Sequence, residues 1–412
     1  MHKHAERAGN ERETSGEVVK YEQTRIHDAS HLRDMAEQWD PAGDLLGLIK
    51  DLSSIAAPVG NEDRMTVAVG HYLAGLGLDV VHDRLGQLAV SFGPESAETS
   101  LMISAHLDEL GLVVRSIESD GWLRVHRLGG VPERVLPASR VVVHTHTGDF
   151  PAVVGVKSHH FTSPEEKYVG KPATDMYLDL GFSSREETVV AGVRVGDPVT
   201  YATTWDVLAN DRFAGKSLDN RVGVAALLDV VVRLREAPPT ARVHAVFSCQ
   251  EEFNVRGVLA LAARFQPDIA LAIDIAPATD TPDLVGDGTV SLGAGPSLSR
   301  MSFHGRGTLG GLIPHPALVG TVERAAAQTG VDIQYDAAIG IITEAAFLPM
   351  AKAEGIAAVG IGIPCRYAHS QVETSQLSDV AQTAVLLNEF AHRVHDTTLD
   401  RGAPQIAYGG MA

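Results

Sequence analysis

Histidine and acidic side chains recur where the apolar runs of this sequence end, and the first such pair is His106 and Asp108. The preceding run, Leu101–Ile103, has the composition of a buried strand, and alternation along a strand puts both side chains on one side. An aspartate so placed can accept a hydrogen bond from one imidazole nitrogen and leave the other nitrogen free for a metal. The alternative for so short a motif is a hydrogen-bonded histidine at a strand end.

Three more carboxylates occupy similar places. Asp219 lies in the motif Lys216–Arg221, directly before a long helical pattern, so it is either a metal ligand or a helix N-cap. Glu251 and Glu252 follow the apolar run that ends at Cys249. Adjacent carboxylates repel each other, and either a bound cation or exposure to solvent has to offset that repulsion.

Asp274 and His369 complete the set of candidates. Asp274 lies inside the apolar run Ala270–Ala276, where an unpaired charge is costly, so we expect a partner for it. His369 follows another apolar run. In open α/β sheets, ligand sites collect beyond the carboxyl ends of the strands, and this is where the candidates lie.

Together these side chains form a nitrogen and oxygen ligand set that suits zinc, cobalt or manganese better than copper or an iron–sulfur cluster. Five ligands with one shared carboxylate are enough for two metals roughly 3.5–4 Å apart, and one carboxylate is left over as a base. The sequence therefore favours a dinuclear metal hydrolase over structural roles for all of these residues.

Strands and helices alternate on both sides of one stretch that is rich in short, β-branched runs. Apolar spacing predicts these helices: Leu45–Ile55, one after Asn61, Asn220–Arg235, Arg256–Phe265, Glu323–Gln328, Glu344–Lys352 and Ser378–Val394. Predicted strands include Gln87–Phe92, one from Leu101, Arg242–Cys249, Ile269–Ile275, Val331–Tyr335 and Ile356–Ile363. This alternation predicts an α/β fold with a mostly parallel or mixed sheet covered on both faces.

The domain organisation follows from where that alternation is interrupted. Residues 112–213 are predicted to be an inserted all-β domain without a helix, and residues 41–111 and 214–396 a discontinuous catalytic domain. Residues 1–40 are polar and are interpreted as a flexible extension with one short helix near His31–Trp39. Residues 397–412 are assigned to a C-terminal tail.

Composition limits the classes of partner. The 412 residues carry a formal net charge of −18, which argues against nucleic acid as a partner because phosphate binding needs a basic surface. Cys249 and Cys365 are the only cysteines, and both are interpreted as inert core residues. Neither a signal peptide nor an apolar run of transmembrane length is recognised, so we expect a cytoplasmic protein without a membrane partner.

Several motifs give the chain a resemblance to a known family. They are Ala105–Gly111, Tyr177–Gly181, Gly196–Val199, Leu218–Gly223, Gln250–Glu252 with Arg256–Gly257, and Arg366–Ser370 with Glu373. In this order they resemble the dinuclear metallo-aminopeptidases that include glutamyl aminopeptidase and the tetrahedral aminopeptidases, some of which carry an older label as endoglucanases. The resemblance extends from about Leu45 to Val394 and implies a zinc-peptidase-like α/β/α catalytic domain with an inserted β dimerisation domain.

The resemblance also implies a role for each candidate. His106 and Asp274 would bind one metal, Glu252 and His369 the other, and Asp219 would bridge them. Of the two remaining residues, Asp108 would orient His106, and Glu251 would be the general base for a metal-activated bridging water. Two zinc ions are favoured, with cobalt or manganese as alternatives. The implied activity is removal of N-terminal residues from short peptides, with dimers assembling into a tetrahedral dodecamer.

Departures from the family pattern leave other functions open. Glu344 stands where the family has aspartate, which motivates a deacylase or carboxypeptidase acting on N-blocked substrates, and Gln87 stands where asparagine is usual. A non-catalytic assembly protein is a third reading, and an endoglucanase fits worst. Arg256 and Arg366 are candidates for binding an acidic first residue. Four further histidines are assigned to surface or supporting roles: His159, His160, His304 and His315.

Overall fold

The computed structural model describes residues 29–40, 43–304 and 310–399. In chain order its strands are β1 Val81–His82, β2 Leu88–Phe92, β3 Ser100–His106, β4 Gly111–Ile117, β5 Leu123–Leu128, β6 Arg140–Thr145, β7 Gly148–Val154, β8 Tyr177–Asp179, β9 Pro198–Tyr201, β10 Trp205–Val207, β11 Arg212–Gly215, β12 Arg242–Ser248, β13 Ile269–Pro277, β14 Ser297–His304, β15 Gly310–Leu312, β16 Gln334–Ile339, β17 Ala357–Cys365 and β18 Glu373–Gln376. Its α-helices are α1 Ala29–Gln38, α2 Leu45–Ser54, α3 Asp63–Gly75, α4 Arg185–Val190, α5 Leu218–Glu236, α6 Val258–Phe265, α7 Pro316–Thr329 and α8 Leu377–Arg393.

A mixed sheet forms the centre of the molecule, with the strand order β1-β2-β12-β3-β13-β17-β14-β15 and with β16 paired to β14. Its four central strands, β12, β3, β13 and β17, are parallel to one another. These strands are the near-continuous apolar runs of the sequence, as expected for strands that are buried on both faces. Their carboxyl ends therefore meet at one edge of the sheet.

Alternate residues of the central strands point to two different cores. Leu101, Ile103 and Phe247 pack on the face that also buries residues of α2, α5 and α8. Met102 and Val246 pack on the other face, against α6. The sheet is thus covered on both faces, and the predicted α/β fold class is confirmed.

Strands β4 to β9 close into a separate barrel in the order β4-β5-β8-β7-β6-β9. Its interior is a core of its own that includes Leu112, Val125, Val143 and Val199. The predicted domain boundaries at residues 112 and 213 stay a prediction, as does a role of the barrel in dimerisation. A third, small sheet joins β10, β11 and β18, and β18 leads directly into α8.

Three expectations about local structure were wrong. The inserted β segment does contain a helix, α4, which begins at the N-cap Ser184, whose hydroxyl accepts a hydrogen bond from the Glu187 amide. This Ser-x-x-Glu pattern is a capping box and could have been read from the sequence. The predicted helix Glu344–Lys352 consists instead of two 3₁₀ turns, since Pro349 cannot donate to a helical ladder. Strand β16 begins at Gln334, whereas the sequence predicts a strand at Val331–Tyr335.

At the amino end, the helix predicted near His31–Trp39 is present as α1, Ala29–Gln38. Trp39 is buried, and its ring lies 5.7 Å from the ring of Tyr72 in α3. Residues 1–28 and 400–412 lie outside the described residues, so the flexible extension and the C-terminal tail stay predictions. Among the helices that the structure describes, none combines the length and the apolar content needed to cross a membrane.

Candidate metal centre

The seven candidate residues come from six different segments and meet at the carboxyl edge of the central sheet. His106 is the last residue of β3, and Asp274 lies on β13, the neighbouring parallel strand. Asp219 lies in the first turn of α5, with backbone angles that are not helical. The remaining four are in connecting segments: Asp108 after β3, Glu251 and Glu252 after β12, and His369 between β17 and β18.

Asp219 lies between two groups of ligand atoms. One carboxylate oxygen is 3.1 Å from His106 Nε2, which is itself 3.9 Å from Asp274 Oδ1. The other oxygen is 3.3 Å from His369 Nε2, which is 3.8 Å from Glu252 Oε1. In each three-residue group, the potential ligand atoms lie within 4.8 Å of one another. Asp219 is therefore placed to be shared, and it does not cap α5, because the Gly223 amide donates to Asn220 Oδ1 instead.

Asp108 supports this arrangement in two ways. Its backbone carbonyl lies 3.2 Å from His106 Nδ1, and its carboxylate lies 3.6 Å from the same nitrogen. The carboxylate also accepts hydrogen bonds from the backbone amides of Glu251, at 3.0 Å, and Glu252, at 2.9 Å. One side chain thus fixes the turn that carries two of the candidates, which the sequence did not indicate.

Glu373 has a similar function for the other half of the site. One of its carboxylate oxygens accepts from the His369 amide at 2.6 Å, and the other accepts from the Asp219 amide at 3.0 Å. His369 Nδ1 lies 3.1 Å from the carbonyl oxygen of Gly130, in the segment after β5 of the barrel. If Nδ1 carries the proton and donates it to this carbonyl, Nε2 is left free to bind a metal.

Electrostatics distinguish these side chains from ordinary surface acids. Burial and the charge of Asp219 raise the pKa of Asp274 well above its usual value. Burial likewise raises the pKa of Glu251 well above the usual value, with Asp274 and Glu252 adding to the effect. Burial raises the pKa of Glu252 to about 7, although His369 opposes the shift. We call Asp219, Glu251, Glu252 and Asp274 the acidic cluster; His106 and His369 oppose its charge at short range, and the buried Arg221 also interacts with Asp219.

A second buried cluster, in which a carboxylate is paired with cationic side chains, lies beside the acidic cluster. Glu109 accepts from Lys216 Nζ at 2.6 Å and from the Ser217 hydroxyl, and it lies 3.7 Å from Arg221 Nη2. The guanidinium of Arg221 also donates to the carbonyl oxygens of Leu52 and Leu107. Glu109, Lys216 and Arg221 are buried, and we call them the balanced cluster. Sequence analysis assigned them no role, although all three lie in the motifs around Asp108 and Asp219.

A cavity of about 610 Å³ opens over the acidic cluster. Its lining includes all four members of the cluster together with His369, and the barrel contributes His126, Arg127 and Gly130. His304 also lines this cavity, whereas His159 and His160 are exposed in the barrel and His315 precedes α7. The cavity gives a substrate access to Glu251 and to the shared carboxylate.

Several residues singled out in the sequence do not contribute to this cavity. Glu344 is buried and accepts a hydrogen bond from the Ser248 hydroxyl. Gln87 is buried and donates to Asp83 Oδ2 at 2.7 Å. Arg366 forms a two-point ion pair with Asp280, and Arg256 lies over the Phe253 ring at 4.8 Å. Cys249 and Cys365 are buried free thiols, which confirms their assignment to the core.

Comparison with known proteins places the chain in a family. The family model described as M42 glutamyl aminopeptidase matches residues 86–386. A putative aminopeptidase SgcX of Escherichia coli is 36% identical over 76% of this chain and 84% of its own length. A lysyl aminopeptidase of Pyrococcus furiosus is 31% identical over 75% of this chain and 85% of its own length.

A solved structure gives the same assignment. The TET1 peptidase of Pyrococcus horikoshii, described as able to assemble into a tetrahedron or a large octahedral shell, aligns with a TM-score of 0.73 at 28% identity. The alignment covers 84% of this chain and 99% of that chain. On these matches, the chain belongs to the M42 glutamyl aminopeptidase family.

Proposed function

We propose that this protein is a dinuclear metal-dependent aminopeptidase that removes N-terminal residues from short peptides. Membership of the M42 family supports the class of activity. The observation that carries the dinuclear proposal is the position of Asp219, whose two carboxylate oxygens face two different pairs of ligands. Two sites that share one carboxylate are a common arrangement in hydrolases of peptide bonds.

The residues present fit such metals. Glu252 Oε1 is buried and has no hydrogen-bond partner among the described residues. A bound cation would be the missing partner of this oxygen. In the proposal, His106 and Asp274 would hold one ion, Glu252 and His369 would hold the other, and Asp219 would be shared. Imidazole and carboxylate ligands suit zinc, and cobalt or manganese are alternatives.

Two divalent ions bound there would supply Lewis acidity for the scissile carbonyl and for the attacking water. Glu251 acts as the general base. It lines the cavity beside Asp219 and Asp274, and burial favours its protonated form, so it can take a proton from water and hold it. Glu251 then delivers this proton to the leaving amine. Asp108 keeps Glu251 in place through the hydrogen bond to its backbone amide.

The acidic cluster also suits the free amino group of a peptide substrate, since the carboxylates attract a cationic N-terminus. This preference distinguishes an aminopeptidase from an enzyme for N-blocked substrates. Glu344, which motivated the deacylase alternative, does not line the cavity. We therefore retain the aminopeptidase as the proposed function. Assembly into a tetrahedral dodecamer and a cytoplasmic location remain predictions, and the TET1 structure supports the former by analogy.

The decisive experiment compares wild type with Glu251→Gln on peptides with free and acetylated N-termini. We expect wild type to release amino acids from free N-termini only, and the variant to lose roughly 10²–10⁴-fold in kcat as a general base is removed. Metal content, measured on the purified proteins, should be the same in both. The matched control Glu236→Gln, at the exposed end of α5, should be fully active. Full activity of Glu251→Gln, or cleavage of the acetylated series, would contradict the proposal.

A further inference from the structure

A second, smaller cavity leads away from the acidic cluster. It has a volume of about 60 Å³ and is separate from the large cavity, yet the two share Asp274, Ile275, Pro277, Ile341 and Thr343. Because Asp274 lines both, the small cavity begins at one of the proposed metal positions. A group held at the metal centre can therefore extend a side chain directly into it.

The cavity runs across the face of the sheet and exists because that face carries small residues. Ala272 pairs with Gly360, and Asp274 with Gly362, so these glycines lie on the same face as the proposed ligand. A Cβ at Gly360 would lie 3.2 Å from Leu312 Cδ2, and one at Gly362 would lie 2.6 Å from Ala276 Cβ. Larger side chains on these strands would fill the space.

The far end of the cavity is acidic. Asp336 and Ala338 line it from β16, which lies three strand spacings from β13, or roughly 14 Å at ~4.8 Å for each spacing. The Asp336 carboxylate accepts one hydrogen bond from the Ser297 hydroxyl at 2.8 Å. An anionic group thus stands at the end of an otherwise mostly apolar groove.

Among the described residues, no lysine, arginine or histidine lines this cavity. The neighbouring cation on β14, Arg300, is engaged elsewhere. It lies 3.4 Å from Glu323 of α7, and its guanidinium lies over the Tyr335 ring at 5.6 Å. The side chains that face the cavity therefore attract a cation and repel an anion.

Volume limits which side chains fit. At about 10–15 Å³ for each water-sized group, 60 Å³ accommodates roughly four to six non-hydrogen atoms. Leucine, methionine and lysine side chains have this size, whereas phenylalanine and tryptophan are larger. Among these, only lysine also places a cation at the end of an apolar stem.

We propose that this groove, from Asp274 to Asp336, is the subsite for the side chain of the substrate's first residue, and that it selects lysine over acidic and aromatic residues. The inference rests on the proposed aminopeptidase function and specifies its substrate. Aliphatic residues such as leucine fill the apolar part and are the second choice. Asp336 determines specificity and takes no part in bond cleavage.

The test measures kcat/KM of the metal-loaded, full-length enzyme for the p-nitroanilides of lysine, leucine, phenylalanine and glutamate. Wild type should prefer lysine. In Asp336→Asn, we expect the value for lysine to fall about 10- to 100-fold, the usual effect of losing a hydrogen bond between charged groups, while leucine changes less than about threefold. The matched control Asp332→Asn, exposed just before β16, should behave as wild type.

A second pair of variants tests the shape of the groove. Ala338→Leu fills it and should lower kcat/KM for both lysine and leucine by about tenfold or more, with a rise in KM. Ala337→Leu, on the opposite face of β16, should leave both values unchanged. Thermal unfolding of each variant checks that the fold is retained.

Faster hydrolysis of glutamate or phenylalanine than of lysine by wild type would overturn this inference, as would an unchanged ratio of lysine to leucine in Asp336→Asn. In either case the aminopeptidase function would stand. Failure to hydrolyse any of the four substrates would instead refute the proposed function, and the subsite with it.

Discussion

The balanced cluster and the acidic cluster are both buried and nearly adjacent in sequence, but they differ in how their charge is compensated. In the balanced cluster, Glu109 has two cations of the same chain, Lys216 and Arg221, within 4 Å. In the acidic cluster, the carboxylates face one another and two histidines. The first arrangement pairs its one carboxylate with two cations, whereas the second has four carboxylates and two imidazoles, an excess of negative charge that a bound cation would offset.

The difference teaches how structural and functional charges can be separated in one fold. Desolvation opposes ionisation in both clusters, but Lys216 and Arg221 outweigh it at Glu109 and lower the pKa of that carboxyl. At Asp274, burial and the charge of Asp219 raise the pKa, and the opposing effect of His106 does not outweigh them. The lowered pKa of Glu109 reflects its two cationic neighbours, and the raised pKa values of Glu251, Glu252 and Asp274 reflect burial among like charges. Asp219 also has a lowered pKa, because it lies between His106 and His369.

The largest expected effect is that of metal on the acidic cluster. Zinc added to chelated protein should raise the free energy of unfolding by about 3–4 kcal/mol when its concentration is 100 to 1,000 times the dissociation constant. In Asp274→Asn this increment should be strongly reduced. The control Asp268→Asn, just before the same strand, should keep it. Calorimetry that finds no metal-dependent stabilisation would remove the basis of the comparison.

Removal of a cation from the balanced cluster should change the free energy of unfolding by a similar amount. Lys216→Met leaves Glu109 with one fewer partner in a buried site, and we expect a loss of about 3–5 kcal/mol in the free energy of unfolding. The exposed Lys50→Met should change stability little. Chemical denaturation measures both. If added zinc restored the stability of Lys216→Met, the two clusters would not be independent.

Removal of a partly exposed ion pair between α3 and the barrel should lower the free energy of unfolding by a smaller amount. Arg64 of α3 donates to both carboxylate oxygens of Asp149 in β7, at 2.7 and 2.8 Å. We expect Asp149→Asn to cost about 1–3 kcal/mol of unfolding free energy at neutral pH. The control Asp206→Asn, which is exposed, should cost almost nothing.

The pH dependence of this pair has a definite sign. Burial opposes ionisation of Asp149, but hydrogen bonds from His144 and Arg64 prevail and lower its pKa from 3.8 to about 2. Its contribution to stability is therefore present above pH 3.8 and is lost as the pH falls toward 2. Unfolding curves of wild type and Asp149→Asn should converge over this range. A difference that stayed constant would contradict the assignment.

The sequence was sufficient to predict the fold class and to bring the candidate residues to one place, because parallel strands align their carboxyl ends. It assigned His106, Asp219 and His369 to a shared site that the structure assembles at short distances. Their roles as ligands remain a proposal. What it could not supply were partners that depend on tertiary contacts, such as the bond between Glu373 and the Asp219 amide.

The direction of individual side chains and the shape of cavities also could not be predicted from the sequence. Glu344 looked like an additional acid in the site, but the 3₁₀ turn directs it toward Ser248 instead of the open cavity. The groove toward Asp336 could not be predicted from the sequence, since it depends on which face of β13, β17, β14 and β16 carries small side chains. No single motif records such a face.

The contact between His369 and Gly130 affects how this protein can be divided. The carbonyl that binds His369 Nδ1 belongs to a segment of the barrel, and a Cβ on Gly130 would lie 3.0 Å from the same ring. A chain trimmed to its α/β part would thus lose a hydrogen-bond acceptor of the candidate metal centre together with the barrel. The α/β part and the barrel therefore cannot be exchanged independently of each other. A barrel transplanted from a relative has to place a glycine and its carbonyl oxygen at the position of Gly130.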